Sequence, residues 1–306
     1  MRLKFGRPDI TSYADRFTMP AAKHDAPLAV TWLGVSTLLL DDGSSAVLTD
    51  GYFSRPGVTR VALGKVAPSP GRVDGCLARA KVRRLDAVIP LHTHLDHALD
   101  SALVADRTGA LLVGGTSAAN IGRGYGLPEG RIVVATSGEP IMLGAFEITL
   151  VQSRHCPPDR FPGDITAPVV PPVKASAYRC GDAWSTLVYH RPSGRRMLIQ
   201  GSAGFVPGAL AGRRAEVAYL GVGQLGLLAE SYLVDYWTET VRAVGARTVV
   251  PIHWDDFFRP LSKPPRANLY GVDDLDASMH VLDKLATQDG VAVQMPTVWR
   301  REDPWT

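Results

Sequence analysis

The segment His92-Thr93-His94-Leu95-Asp96-His97 places three imidazoles and a carboxylate within six residues. Imidazoles two apart on an extended or turning segment can point to the same side, so His92 and His94 could clasp one metal ion. Asp96 and His97 then open the following helix and aim at a second position. Only eight of the 306 residues are histidine, and chance produces this pattern about 5 × 10⁻⁴ times per chain, too seldom for a coincidental polar loop. A metal pair lowers the pKa of bound water toward about 7, giving hydroxide at neutral pH, and polarises the oxygen under attack. The reaction class is therefore hydrolysis of an ester, lactone, amide or phosphodiester. Asp96 is its catalytic carboxylate, accepting a proton or holding the nucleophile in line.

Such a cluster has to be held by strand ends, where α/β proteins usually place reactive groups. Asp86–Leu91, directly before the motif, reads as a buried strand. Leu28–Leu33, Ser36–Leu40 and Ser45–Thr49 are β-prone runs, the last two separated by the hairpin signal Asp41-Asp42-Gly43. Further strands are expected at 110–113, 131–135, 146–151, 176–180, 185–190, 196–200, 216–220, 248–251 and 291–293. Helices are expected over 98–108, 229–244 and 273–287. Residues 54–73, with repeated Pro and Gly, read as loop. No linker divides the chain, so residues 28–306 are expected to form a single α/β domain with packed sheets covered by helices, and 1–27 an N-terminal arm.

Composition narrows the partners. Thirty-three basic against thirty acidic residues give a net charge of +3, too small to imply a polyanion. The arginine pairs are scattered, which disfavours nucleic acid. Cys76, Cys156 and Cys180 are odd in number and widely spaced, which argues against a disulfide framework and for a cytoplasmic location. No apolar run is long enough for a membrane span, and the polar residues Asp9 to Arg16 interrupt any secretion signal, so none is expected.

The motif H-x-H-x-D-H, together with Trp32-Leu-Gly34, Leu48-Thr-Asp50-Gly-Tyr-Phe-Ser54 and Pro251-Ile-His253-Trp254, resembles the metallo-β-lactamase superfamily. Within it, the match looks like the branch containing ascorbate-phosphate lactonase and N-acyl-phosphatidylethanolamine phospholipase D. The resemblance runs from about residue 28 to 260. It implies a four-layer αββα sandwich of two mixed β-sheets flanked by helices. It also implies a first metal on His92, His94 and His155 and a second on Asp96, His97 and His253. Asp50 matches a buried strand-end aspartate that orients a ligand or the motif backbone. Two divalent ions are implied, zinc by default, with manganese or iron also suited to a His/Asp set. The implied substrate is a small or lipid-like molecule.

One departure stands out. Family members commonly carry an aspartate bridging both metals in a G-D-T/S-G turn, whereas this turn reads Gly201-Ser202-Ala203-Gly204. Losing that charge should weaken the second site and leave the pair more electropositive, although a subclass of zinc β-lactamases also has serine here and binds two ions. Two alternatives therefore stay open: a nuclease of the tRNA-processing type, or a degenerate non-catalytic protein holding one metal or none. Asp255 and Asp256 could supply a substitute carboxylate, but solvated loop charges are the plainer reading.

Gly221-Val-Gly223-Gln-Leu-Gly226 has the form of a dinucleotide fingerprint, but the next strand leads into His253 instead of ending on an acidic residue. A glycine turn packed near the metal site is the better reading. His24, His190 and His280 lack a partner pattern, and Cys156 reads as a packed thiol. The proline-rich stretches 156–173 and 259–266 follow His155 and His253, so both are expected to wall the substrate pocket as semi-rigid loops. Phe161, Trp254, Phe257 and Phe258 are then the apolar lining, and Arg154, Arg160 or Arg259 the anion contacts.

Overall fold

The computed structural model describes residues 4–306; Met1, Arg2 and Leu3 of the expected arm lie outside the described residues. The run Leu28–Thr49 folds as a meander of β1 (Ala29–Trp32), β2 (Leu38–Asp41) and β3 (Ala46–Thr49). Asp42 and Gly43 make the tight turn between β2 and β3, where Asp42 Oδ1 accepts from the amides of Ser44 and Ser45. After β3 the chain pairs in parallel, through β4 (Ala87–Ile89), β5 (Leu111–Gly114) and β6 (Ile132–Val134). Crossovers between parallel strands require helices. These are α1 (Val58–Leu63), α2 (Pro70–Arg79), α3 (Leu95–Ala98), α4 (Ser101–Thr108) and α5 (Thr116–Tyr125).

The second half repeats the plan. β7 (Pro140–Leu143), β8 (Phe146–Gln152), β9 (Trp184–His190) and β10 (Arg196–Gln200) pair antiparallel, and β11 (Val217–Gly221), β12 (Thr248–Ile252) and β13 (Ala292–Val293) continue in parallel. Helices α6 (Glu230–Trp237) and α7 (Leu275–Asp289) cover this half, Asp274 capping α7 at the Ala277 amide. A last strand, β14 (Arg301–Glu302), returns to pair with β1. Among the described residues the strands thus form two seven-stranded mixed sheets, ordered β14-β1-β2-β3-β4-β5-β6 and β13-β12-β11-β10-β9-β8-β7.

The core lies between the sheets. Val30, Trp32, Leu38, Leu40, Val47 and Ile89 from one sheet join Ile148, Leu150, Leu198, Tyr219 and Val250 from the other in one buried cluster. Each side chain of this size contributes roughly 1.5–3 kcal/mol when fully buried. A second cluster, with Leu48, Val88, Leu103, Val104 and Leu112, packs α4 onto the outer face of the first sheet. Residues of the arm are not free: Met19 is buried in the inter-sheet core, and Tyr13 donates to Asp276 on α7.

Two expectations about elements are corrected. Residues 54–73 hold α1 and the start of α2, whose first residue is Pro70, the position where proline needs no amide partner. Residues 176–180 do not form a strand but continue from a short 3₁₀ turn at Ala175–Ala177, and the segment uses its polar groups on Thr93 and the loop at Phe161. The helix α5 was not foreseen because glycines at 115, 122, 124 and 126 obscure its periodicity. Gly124 is required there: a Cβ would collide with the Val169 backbone carbonyl. Among the described residues, no helix is long and apolar enough to cross a membrane.

Candidate metal centre

Strand C-termini from both sheets converge on one edge. β3 leads to Asp50, β4 runs through Pro90 and Leu91 to His92, β8 leads to His155, β10 to Ser202, β11 to Gly223 and β12 to His253. His92, His94 and His155 bring one ring nitrogen each within 4.8 Å of one another, and Asp96, His97 and His253 do the same with a carboxylate oxygen and two nitrogens. In the second group His253 Nε2 lies 3.2 Å from Asp96 Oδ2 and 3.2 Å from His97 Nε2, and His97 Nε2 lies 3.7 Å from Asp96 Oδ2. Tetrahedral ligands at metal distances of about 2.0–2.1 Å have edges of about 3.3 Å, so this triangle fits a cation.

The outward nitrogens show how each ring is turned. The Nδ1–H of His97 donates to Asp50 Oδ2 at 2.8 Å, which leaves Nε2 for the centre. Asp50 is fully buried, stands at φ 53, and its Oδ1 accepts from the amide of Leu91 at 2.8 Å. One carboxylate thus fixes both a ring and the motif backbone. The Nδ1–H of His155 donates to the Cys156 carbonyl at 2.7 Å. His94 Nε2 sits 3.2 Å from Asp159 Oδ1 and 3.3 Å from the Phe161 carbonyl, which frees Nδ1. His92 is 1% exposed and neither ring nitrogen has a hydrogen-bonding partner among the described residues. An imidazole buried in that way is costly unless something takes its lone pair. That orphaned ring, inside a convergent set of nitrogens, is the observation that fits a metal.

Electrostatics favour the ligand forms of His92, His94, His155 and Asp96. Burial and the neighbouring imidazoles push His92 well below the usual histidine value, burial lowers His94, and burial with the facing His94 lowers His155 to about 4. Burial alone would raise Asp96, but the His97 and His253 imidazoles hold it well below the carboxylate range. Burial raises Asp50, opposed by His97 and the Leu91 amide. Burial would lower His253, and the hydrogen bond to Asp96 outweighs it and raises that imidazole.

His253 adopts φ 62, in the left-handed region, and its amide donates to the carbonyl of Val35, itself at φ 50. The Val35 amide donates to Asp255 Oδ1 at 2.7 Å, and Asp255 pairs with Arg55 at 2.9 Å with both side chains almost wholly buried. Asp255 is therefore neither a substitute ligand nor a solvated loop charge. Asp256 is likewise committed, to Arg266 at 2.9 Å and Arg7 at 3.2 Å. Ser202 Oγ accepts from the Cys156 amide at 2.9 Å and borders the cavity. The glycine turn does pack at the site: a Cβ on Gly223 would stand 2.8 Å from His253 Nδ1.

The centre opens into a cavity of about 260 Å³. Phe161, Phe257 and Phe258 line it with Val61 and Val272, and Arg160 brings a guanidinium. Trp254 does not line it. One residue past His253 its side chain takes the opposite side of the chain, where it is fully buried and packs on Trp32 with ring centroids 5.1 Å apart. Arg154 and Arg259 are also absent from the wall: Arg154 is exposed elsewhere, and Arg259 Nε donates to the Pro264 carbonyl. Sequence reasoning did not pick out Asp159, nor Gln224, Asn268 and Asp273, which border the cavity. None sits at a spacing that marks chemistry; only the folded loops bring them in.

No protein-family profile matches the sequence. Over 137 residues the chain is 26% identical to a UPF0173 metal-dependent hydrolase of Myxococcus xanthus, a match covering 44% of this chain and 42% of that protein. The chain spans less than half the length of the curated relatives it matches. Among solved structures, a metallo hydrolase from the hyperthermophilic archaeon Ignicoccus hospitalis superposes with a TM-score of 0.50 at 15% identity, covering 88% of this chain and 95% of that one. CmlA, a diiron β-hydroxylase from Streptomyces venezuelae, does so with a TM-score of 0.55 at 14% identity, over 90% and 54%. Two mixed sheets packed face to face, helices on their outer faces, and ligands drawn from the strand ends of both make this chain a metallo-β-lactamase-fold protein.

Proposed function

We propose that the protein is a metal-dependent hydrolase that holds two divalent ions, zinc by default, one on His92, His94 and His155 and the other on Asp96, His97 and His253. The observation that carries this reading is the unsatisfied, buried His92, in one of two convergent three-residue groups whose members His94, Asp96, His155 and His253 line one cavity. When bound, the ions supply activated water and polarise the bond under attack. The chain's own residues do the rest. Asp96, held ionised by His97 and His253, borders the cavity as a hydrogen-bond acceptor that holds the nucleophile in line. The phenylalanine walls exclude water and receive an acyl or lipid-like portion, and Arg160 meets an anionic group. The substrate is an ester, lactone or phosphodiester of a small or lipid-like molecule, as in the lactonase and phospholipase D branch of the superfamily.

The test is a panel of a p-nitrophenyl ester, a lactone and bis(p-nitrophenyl) phosphate, assayed with metal-free, zinc-reconstituted and chelator-treated protein. Turnover of at least one probe that appears with zinc and is lost on chelation is expected. Turnover indifferent to chelation, or none with two zinc ions bound, contradicts the proposal.

A further inference from the structure

In the proposed centre three of the ligand imidazoles have their outward nitrogen held: His97 by Asp50, His94 by Asp159 and the Phe161 carbonyl, His155 by the Cys156 carbonyl. Two are not held: His92, whose ring nitrogens both lack a partner, and His253, whose Nδ1 is buried without one. On the same cavity wall as His253 lies another orphan. Asp273, from the turn before α7, is 2% exposed, and neither carboxylate oxygen has a partner among the described residues. A Cβ on Gly223 would meet the His253 ring at 2.8 Å, and the amides of its neighbour Gln224 and of Asp274 face the Asp273 carboxyl without forming well-aligned hydrogen bonds. His253 and Asp273 therefore flank one short glycine turn.

Charge points the same way. The six ligands include one carboxylate, Asp96, against two divalent ions, and Ser202 adds no charge. A buried carboxylate left without a partner is a liability to the fold unless a cation or a donor answers it. Metal-bound histidines characteristically give their other ring N–H to a carboxylate, directly or through water, which fixes the ring and strengthens the ligand.

We propose that Asp273 is a positioning residue of the second ion group, orienting His253 from its Nδ1 side and supplying negative charge that the six ligands lack. The inference rests on the two-ion reading above. It makes the turn before α7 part of the centre, although no spacing in the sequence links it to the motif.

The experiment is a cobalt(II) titration of the metal-free full chain followed by visible absorption, on the wild type, Asp273→Asn and Asp273→Glu, with unfolding midpoints of the metal-free proteins alongside. The wild type takes up two equivalents. Asp273→Asn binds the first ion as before and the second about 10–100-fold more weakly, the usual effect of losing such a partner. Asp273→Glu recovers most of that affinity. Metal-free Asp273→Asn unfolds no earlier than the wild type, because the amide removes an unpartnered charge. Two equal equivalents in wild type and Asp273→Asn overturn the inference alone, and so does a metal-free Asp273→Asn that unfolds earlier, which would mark a structural role. A wild type that takes up fewer than two equivalents overturns the two-ion reading and this inference with it.

Discussion

Replacing Asp50 by asparagine changes one atom and tests how the second ion group is built. Asp50 Oδ1 accepts from the Leu91 amide and Oδ2 from His97 Nδ1–H, both at 2.8 Å. A carboxylate can only accept, so it forces the His97 proton onto Nδ1 and leaves the Nε2 lone pair facing Asp96 and His253. In Asp50→Asn the single oxygen satisfies one donor. If it keeps Leu91, the amide NH₂ faces Nδ1, and the imidazole must move its proton to Nε2, the atom that the ion needs. If it keeps His97, the buried Leu91 amide is stranded, at a cost of about 1–3 kcal/mol. The first arrangement strands no buried donor and is favoured, so the ion at Asp96, His97 and His253 is weakened by roughly 10–100-fold, or about 1.4–2.8 kcal/mol. Calorimetric zinc titration of metal-free protein reads this directly, with the ion at His92, His94 and His155 as internal control. An Asp50→Asn protein that binds both ions at wild-type affinity would refute the assignment of Asp50 as the residue that sets the His97 tautomer.

Three further outcomes are expected. Arg55→Met leaves Asp255 buried without its partner and loosens Val35, which holds the His253 amide; chemical denaturation should show a loss of about 3–5 kcal/mol, and a change under about 1 kcal/mol would contradict it. Gly223→Ala puts a methyl group 2.8 Å from His253 Nδ1, so metal analysis should find the second ion depleted while the fold persists by circular dichroism. The third concerns pH. Burial raises Asp273 from 3.8 to about 7, so the stability it contributes is complete below pH 3.8 and is lost as pH rises through about 7. Metal-free Asp273→Asn should then exceed the wild type by up to about 4 kcal/mol at pH 8 and lose that advantage toward pH 4; a difference independent of pH would sink the argument.

The motif and most strand positions were readable because each rests on local chemistry. His92 to His97 declares itself by residue type, and the runs 86–91 and 248–251 became strands because short buried apolar stretches suit positions flanked by strands on both sides, while 146–151 alternates Glu147 and Thr149 with the buried Phe146, Ile148 and Leu150. His155 and His253 were placed through resemblance, and the geometry groups them with the motif. Trp254 misled because an aromatic beside a ligand looks like pocket wall, yet adjacent residues face opposite sides, and this one fills the core. The Arg55–Asp255 pair, 200 residues apart, could not be seen in any window of sequence. Asp159 and Asp273 escaped for the same reason: each is an ordinary loop aspartate until folding carries it against an imidazole or into a cavity. Helix α5 hid behind glycines whose presence answers tertiary crowding.

The central claim is that six side chains from both sheets grip two ions at one edge. A crystal structure of zinc-reconstituted protein with anomalous data collected at the zinc edge tests it most directly. The account predicts two anomalous peaks, one coordinated by His92, His94 and His155 and the other by Asp96, His97 and His253. Peaks elsewhere, or His155 or His253 uncoordinated beside an occupied motif, would contradict it.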